Sequence, residues 1–415
     1  MKRRALIIIE NCSFPDDIRV WNEATSLSNN DYEVTVLCPK SEGTRGKRWD
    51  QSYEVINGIH VYRYPQHEGR GGHLREYVHA LFWQFVYTFR IYLRHRFHVI
   101  QGCNPPDDIF LVALPFKLFG IPYIFDHHDA CPELYLSIYR KHGIFYKLLW
   151  WLEKLSYSYS DVVMSTNNSY RELALGRGGK KPEDVFVVRN GPDLNRVTSV
   201  APNHSLKHGK RYLVAYVGTM GVQEGVEILL DAALHLKKAG RDDIHFTCVG
   251  GGSQLERLRT LVTHNGLEGT VNFTGPIPDE DLMEILSTSD VCVNPDTPCS
   301  MNDISTMIKI IEYMALGKPI VQFDLREGRF SAGDASLYAD SATGVPDFAA
   351  KIAWLLDRPD ERARMGQSGR KRVELELAWK YSVEQLLAAY DRAFCKAAHK
   401  GAEELRHGWT PKPVK

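Results

Sequence analysis

Short apolar runs rich in Val and Ile alternate with stretches of helical periodicity along most of the chain. Apolar runs of about 4–8 residues between turn residues read as strands, and their alternation with helices reads as βαβ units building parallel sheets. In the first half the pattern predicts strands over residues 5–9, 34–37, 59–62, 98–101, 123–126, 161–165 and 185–188. In the second half it predicts 212–217, 245–250, 270–274, 290–294, 319–323 and 336–339. Unbroken runs such as LIII and VFVV fit strands covered on both faces. Residues 195–210 are polar, carry one proline and show no periodicity, so they read as a linker. From Trp379 to about His399 the pattern is that of a long helix. The expected division is therefore an α/β domain over 1–198, a second over 199–380, and a tail over 381–415 that packs back on the first. Two such halves are expected to bind a ligand in the cleft between them, at the carboxyl ends of the strands.

Composition narrows the class. The 415 residues fit two or three domains at roughly 150 residues each. Lys+Arg and Asp+Glu both number 51, and 44% of residues are hydrophobic, an ordinary globular balance. That excludes a disordered tail protein, a collagen and a polycation that would bind nucleic acid along its whole length. The opening MKRRALIII breaks at Glu10, short of the apolar core of a secretion signal. No window approaches the roughly 18 apolar residues of a membrane span. The eight cysteines show no C-x-x-C pair and no zinc spacing, so they read as free thiols of a reducing cytoplasm, and no metal site is expected.

Three segments carry chemistry. In 294–324, a strand ends near Asn294, a loop follows, and a helix is expected from near Ser305 until Gly317 and Pro319 stop it. Ser305, Lys309 and Glu312 would share one helix face. The N–H groups of Ser305, Thr306 and Met307, with the helix dipole, suit a diphosphate. Lys309 would add a full charge, and Glu312 would accept two hydrogen bonds from a ribose diol. The competing reading is a plain helix capped by Asp303 or Ser305, with Lys309 and Glu312 as a surface pair; the strand–loop–helix context favours the ligand. In 216–233, a strand leads through Gly218, Thr219, Met220 and Gly221 into a helix, which suits close approach of backbone to phosphate. In 126–135, DHHDACPELY puts Asp126, His128 and Asp129 at a strand's carboxyl end. There the competing reading is a pair of structural histidines.

The 294–324 segment resembles the donor-site signature of family 4 glycosyltransferases, which have the GT-B fold, and more narrowly a bacterial subgroup linked to surface-polysaccharide assembly. That family carries two glutamates eight positions apart. Glu312 matches the second, which implies ribose binding; Ile304 stands at the first, so Asn302 and Asp303 would take over contact with the donor-sugar hydroxyls. The family's Arg and Lys diphosphate clamp falls on Met220 and Glu224, and Lys309, helped by Arg329, would replace it. The 126–135 segment resembles the family's D-x-H-D followed by P-E. This implies an acceptor-side active site in which His128 contacts the donor sugar or positions the acceptor hydroxyl, while Asp126 or Asp129 orients the imidazole or accepts a proton. Stretches 14–24, 187–194, 249–258, 272–282 and 323–339 extend the resemblance. Asp17 and Arg19 would either line the cleft or form an intradomain ion pair, and Glu327 would lie near the donor. Asp279-Glu280-Asp281 is literally D-x-D, but after Pro278 it reads as the acidic first turn of a helix.

The resemblance implies transfer of a sugar from a UDP- or GDP-linked donor to a saccharide or lipid-linked acceptor, with retention of configuration, no obligatory metal, and Lys309 acting on the departing diphosphate. Residues 73–96 and 144–159 mix aromatic with basic side chains. They read either as core helices or as helices resting on the inner face of an anionic membrane. The expected protein is cytoplasmic, or peripheral on that face. A GT-B sugar-nucleotide epimerase, which needs no acceptor, and a non-catalytic nucleotide-sugar-binding partner of a transferase are the rival readings.

Overall fold

The computed structural model describes residues 2–42, 48–66 and 73–407; residues 408–415 of the expected tail lie outside that set. The chain divides into two units: Met1–Leu136 with Lys141–Arg189 and Ser382–Lys415, and Ser137–Arg140 with Asn190–Tyr381.

The first unit is built on an eight-stranded sheet, beside a short antiparallel pair Ser41–Glu42 and Arg48–Trp49; its strands are β1 (Arg3–Ile8), β2 (Tyr32–Pro39), β3 (Tyr53–Ile56), β4 (Ile59–Tyr64), β5 (Val99–Cys103), β6 (Tyr123–His127), β7 (Val162–Ser165) and β8 (Val185–Val187). Their order is β8-β7-β6-β5-β1-β2-β4-β3. All neighbours are parallel except β3 and β4. That hairpin closes through Asn57 and Gly58, both at positive φ (48° and 80°), the turn a two-residue hairpin prefers. β3 escapes the hydrophobic pattern because Tyr53 and Val55 are exposed at the sheet edge. Leu6, Ile7 and Ile8 of central β1 are fully buried, as the unbroken apolar run requires.

The helix His73–His95 buries Ala80, Gln84, Thr88 and Ile91 and leaves Val78, Phe82, Phe85, Phe89 and Leu93 exposed. A core role accounts for one face only. No helix among the described residues is long and apolar enough to cross a membrane. The C-terminal helix runs Trp379–His407, and its Arg392 and Lys396 both reach Asp184, at 2.8 and 2.6 Å.

The second unit holds β9 (Tyr212–Val217), β10 (Ile244–Val249), β11 (Val271–Gly275), β12 (Val291–Asn294), β13 (Ile320–Phe323) and β14 (Ser336–Ala339), all parallel, in the order β11-β10-β9-β12-β13-β14. Strand order reverses between β9 and β12, the topological switch point of a Rossmann-like sheet. One face is covered by Leu229, Leu230, Phe348 and Ile352, the other by Ile310, Ile311 and Met314. Each such side chain contributes about 1.5–3 kcal/mol on burial.

One expected element differs. The helix expected from Ser305 is two helices, Ser300–Ile304 and Ile308–Ala315. The Ser305 hydroxyl donates to the Met301 carbonyl at 2.7 Å, and Ser305 itself is extended (φ −95°, ψ 132°). The side chain thus takes an acceptor that a continuing helix gives to backbone N–H, and the chain leaves helical space. Ser305, Thr306 and Met307 form the connection, with Met307 at the N-cap of the second helix rather than in its first turn.

Candidate functional site

In the first unit the chemistry gathers at the carboxyl end of β6. Asp126 is fully buried and accepts from Arg19 Nη2 and Nε at 2.6 and 3.2 Å, from Gln101 Nε2 at 3.0 Å, and faces His128 Nε2 at 2.6 Å. Burial alone would raise its pKa, but the Arg19 and His128 charges outweigh it and hold the carboxylate well below its usual range. For His128 burial works downward, and Asp126 more than offsets it, so the imidazole is pushed up. Asp126, not Asp129, is therefore the group that orients His128. Nδ1 of His128 makes no hydrogen bond to the protein among the described residues. The turn beneath is pinned by Asn104, whose Oδ1 accepts from the N–H groups of His128 (2.6 Å) and Asp129 (3.2 Å). Burial raises the Asp129 carboxyl, with His128 opposing.

The residues around this pair are structural. Arg19 also meets Glu23 at 3.1 Å and donates to the Val188 carbonyl at 2.6 Å, so it is a buried intradomain cation. Asp17 caps the helix Ile18–Asn29 by accepting from Val20 N–H at 3.0 Å. Gln101 bridges Asp126 and Glu23, and its Oε1 takes the Tyr390 hydroxyl at 2.5 Å, which ties the C-terminal helix to the site. His127 is the structural histidine of the doublet: Tyr157 holds its Nδ1 at 3.0 Å, and burial with the Arg177 charge brings its pKa to about 3.

In the second unit the residues gather at the switch point. β9 leads into Gly218, whose φ of 151° only glycine adopts readily. A Cβ on Gly250 would lie 2.1 Å from the Gly218 carbonyl oxygen, so glycine is required where the two turns touch. A Cβ on Gly218 would lie 3.5 Å from Lys309 Nζ, which brings that ammonium against the turn. Lys309 Nζ bonds Asp296 at 3.0 Å and lies 4.8 Å from the Tyr216 ring centre. Asp296 is 1% exposed, and its second oxygen has no partner among the described residues, nor has the amide of Asn294. Glu312 accepts from Arg196 Nη2 at 3.0 Å; burial raises its pKa and Arg196 opposes. Lys309 and Glu312 thus have separate partners and are not a surface pair.

Several expected donor contacts have other work. Met220 is fully buried in the core, its N–H donates to the Gly251 carbonyl at 2.7 Å, and its carbonyl accepts from Gln254 at 2.9 Å, so neither side chain nor backbone is available. Gly221 N–H donates to Glu224 at 3.0 Å, and the Thr219 carbonyl accepts from Tyr216 at 2.8 Å. Asn302 spends its amide hydrogens on the Gln223 and Thr297 carbonyls at 2.9 and 2.7 Å, bracing the two loops. Asp303 accepts from Arg326 N–H at 2.9 Å at the start of the helix Arg326–Ala332. Thr306 donates to buried Glu327 at 3.3 Å. Arg329 is exposed, paired through two 2.6 Å bonds with Asp324, and stands over Tyr338, so it does not assist Lys309. Asp279, Glu280 and Asp281 form the acidic first turn of the helix Asp279–Thr288. Sequence reasoning missed Asp296, Arg196, Gln101 and Asn104. Asp296, two residues past β12, was open to detection as a loop acid at a strand's carboxyl end; Arg196 was hidden in the linker.

A family model described as a glycosyl transferase 4-like domain matches residues 18–191, and one described as glycosyl transferases group 1 matches residues 211–358. Alpha-D-kanosaminyltransferase of Streptomyces kanamyceticus is 28% identical over 43% of this chain, a match that spans 45% of that enzyme. The structure of sucrose-phosphate synthase from Thermosynechococcus elongatus is similar at a TM-score of 0.77 and 17% identity, over 95% of this chain and 100% of that one. Anabaena HepE, solved in complex with UDP-glucose, is similar at 0.68 and 14% identity, over 94% and 99%. With two glycosyltransferase family models matched in order over residues 18–191 and 211–358, and the architecture shared with these structures, the chain belongs to the family 4 glycosyltransferases and has the GT-B fold.

Proposed function

We propose that the protein moves a sugar from a UDP- or GDP-linked donor to a saccharide or lipid-linked acceptor, with retention of configuration, in the assembly of a bacterial surface polysaccharide. The observation that carries this reading is Lys309, which stands beside the Gly218 turn at the switch point of the second sheet, where α/β sheets take nucleotides. Lys309 would exchange Asp296 for the donor's diphosphate. Because negative charge grows on that group as the sugar–oxygen bond breaks, the attraction strengthens in the transition state. Glu312 would bind the ribose diol beside Arg196. The acceptor oxygen forms the new bond to the anomeric carbon on the face the diphosphate leaves, and its proton passes to the departing phosphate oxygen. His128, held through Nε2, would use Nδ1 to position the acceptor hydroxyl or the donor sugar.

HepE's complex with UDP-glucose supports testing UDP-sugars first. Thermal shifts with UDP, GDP, ADP and their hexose conjugates should show stabilisation by one base family; stabilisation by none rejects the donor site. Lys309→Met should mainly lower turnover. The exposed stripe Val78, Phe82, Phe85, Phe89 and Leu93, with Arg75, Arg90, Arg94 and Arg96 on the same helix or just past it, supports a peripheral membrane contact. Failure to co-sediment with anionic liposomes at low salt rejects that contact. A non-catalytic nucleotide-sugar binder is the second reading, favoured by one observation: the two clamp positions hold Met220, buried in the core, and Glu224, which accepts from Gly221 N–H, so neither brings a positive charge to the diphosphate. It predicts binding without turnover on any acceptor.

A further inference from the structure

We propose that Glu33, His60 and His95 form a zinc site that fastens the end of the helix His73–His95 to the first unit's sheet. Glu33 and His60 are the second residues of neighbouring strands β2 and β4, and His95 is the last residue of the helix. Each offers one ligand atom, and the three atoms lie within 4.8 Å of one another. His95 Nδ1 is 3.5 Å from Glu33 Oε1, and the two imidazole centres are 4.7 Å apart. Zinc bonds nitrogen and carboxylate oxygen at about 2.0–2.2 Å, so ligand atoms around a tetrahedral ion stand about 3.3 Å apart. The His95–Glu33 pair is already near that spacing, and the third ligand atom lies within 4.8 Å of both.

The surroundings match what a metal-binding histidine needs. The Tyr53 hydroxyl holds His60 Nδ1 and the Tyr62 hydroxyl holds His95 Nε2, both at 2.9 Å. One nitrogen of each ring is thereby anchored and the other left for the ion, the arrangement that fixes tautomer and ring orientation in metal sites. Three protein ligands leave one position for water. In the other group of this kind among the described residues, Glu23, Cys103, Asp126 and His128, the two carboxylates already pair with the Arg19 guanidinium, which takes the place of a cation. The proposed site lies at the amino ends of β2 and β4, whereas Asp126 and His128 lie at the carboxyl end of β6, so it is separate from the transfer chemistry. Its spacing of 33, 60 and 95 follows no motif, which is why the sequence suggested no metal.

The test is titration of the chelator-stripped full-length protein with Zn²⁺ by calorimetry and with Co²⁺ by visible absorption. One equivalent should bind, with a tetrahedral cobalt spectrum. His60→Asn and, independently, Glu33→Gln should weaken zinc at least about tenfold, and Tyr53→Phe, which removes no ligand, by about 10–100-fold. Zinc should raise the melting temperature of the wild type and not of His60→Asn, while nucleotide-induced shifts stay the same in both. Absence of stoichiometric binding overturns the proposal. So does binding that survives His60→Asn and Glu33→Gln, or that is lost in Cys103→Ser.

Discussion

Asp126 in the first unit and Lys309 in the second are both nearly buried charges, yet they are held differently. Asp126 is bonded by Arg19, Gln101 and His128, inside a network that reaches Tyr390. Lys309 forms one ion pair among the described residues, with Asp296, whose other oxygen is unsatisfied among them. A charge bonded on every side serves to orient its neighbour. A charge with a single partner can be handed to a ligand, because exchanging one ion pair for another costs little desolvation. On the proposed reading, the first cluster positions and the second exchanges a protein partner for the donor.

The sharpest break of that comparison is Arg19→Met. It leaves Asp126 and Glu23 buried without their cation and should cost about 3–5 kcal/mol, read as loss of hydrogen-exchange protection in β1, β5 and β6. Protection close to wild type would mean the cluster is not the fixed element it resembles. Next, His128→Ala should lower sugar transfer by about 100-fold or more, the usual scale for a lost proton-handling or positioning group, while nucleotide affinity stays constant; equal transfer rates would remove His128 from the reaction. Glu312→Ala should then weaken nucleotide binding by about 1.5–3 kcal/mol, whereas Arg329→Ala in the same calorimetric assay should leave it unchanged. Matching effects of the two would erase the distinction between an inward and an exposed charge.

The smallest effect is on pH. The raised His128 pKa means its contribution is complete below the ordinary value of about 6.5 and is lost as pH rises through the folded value. Asp126, whose pKa is depressed, contributes above about 3.9 and fades as pH falls toward its folded value. The melting-temperature gap between wild type and His128→Gln should therefore be widest below about pH 6.5 and narrow as pH rises through the raised folded value. A gap that widens with alkalinity would contradict the pairing.

The thirteen strands expected from hydrophobic runs all occur, two of them, Tyr212–Val217 and Ser336–Ala339, with the same bounds. Buried parallel strands must be apolar throughout, so composition reveals them. The edge strand Tyr53–Ile56 was invisible because half of it faces water. The break at Ser305 was invisible because one hydroxyl-to-carbonyl bond decides it. Lys309 and Glu312 were readable as charged positions on an otherwise apolar helix, but their partners were not. Asp296 and Arg196 come from a different loop and from the linker.

By itself the chain's sequence determined the alternation of strands and helices, the two-domain order, and which positions carry charge at the strands' carboxyl ends, since these follow from local periodicity and turn chemistry. Only the tertiary structure decided that Asp126 would be clasped by Arg19, that Met220 would belong to the core, and that Glu33, His60 and His95 would meet. Hydrogen bonds and ion pairs act over about 3 Å, and residues far apart in sequence come that close only after the sheets have formed.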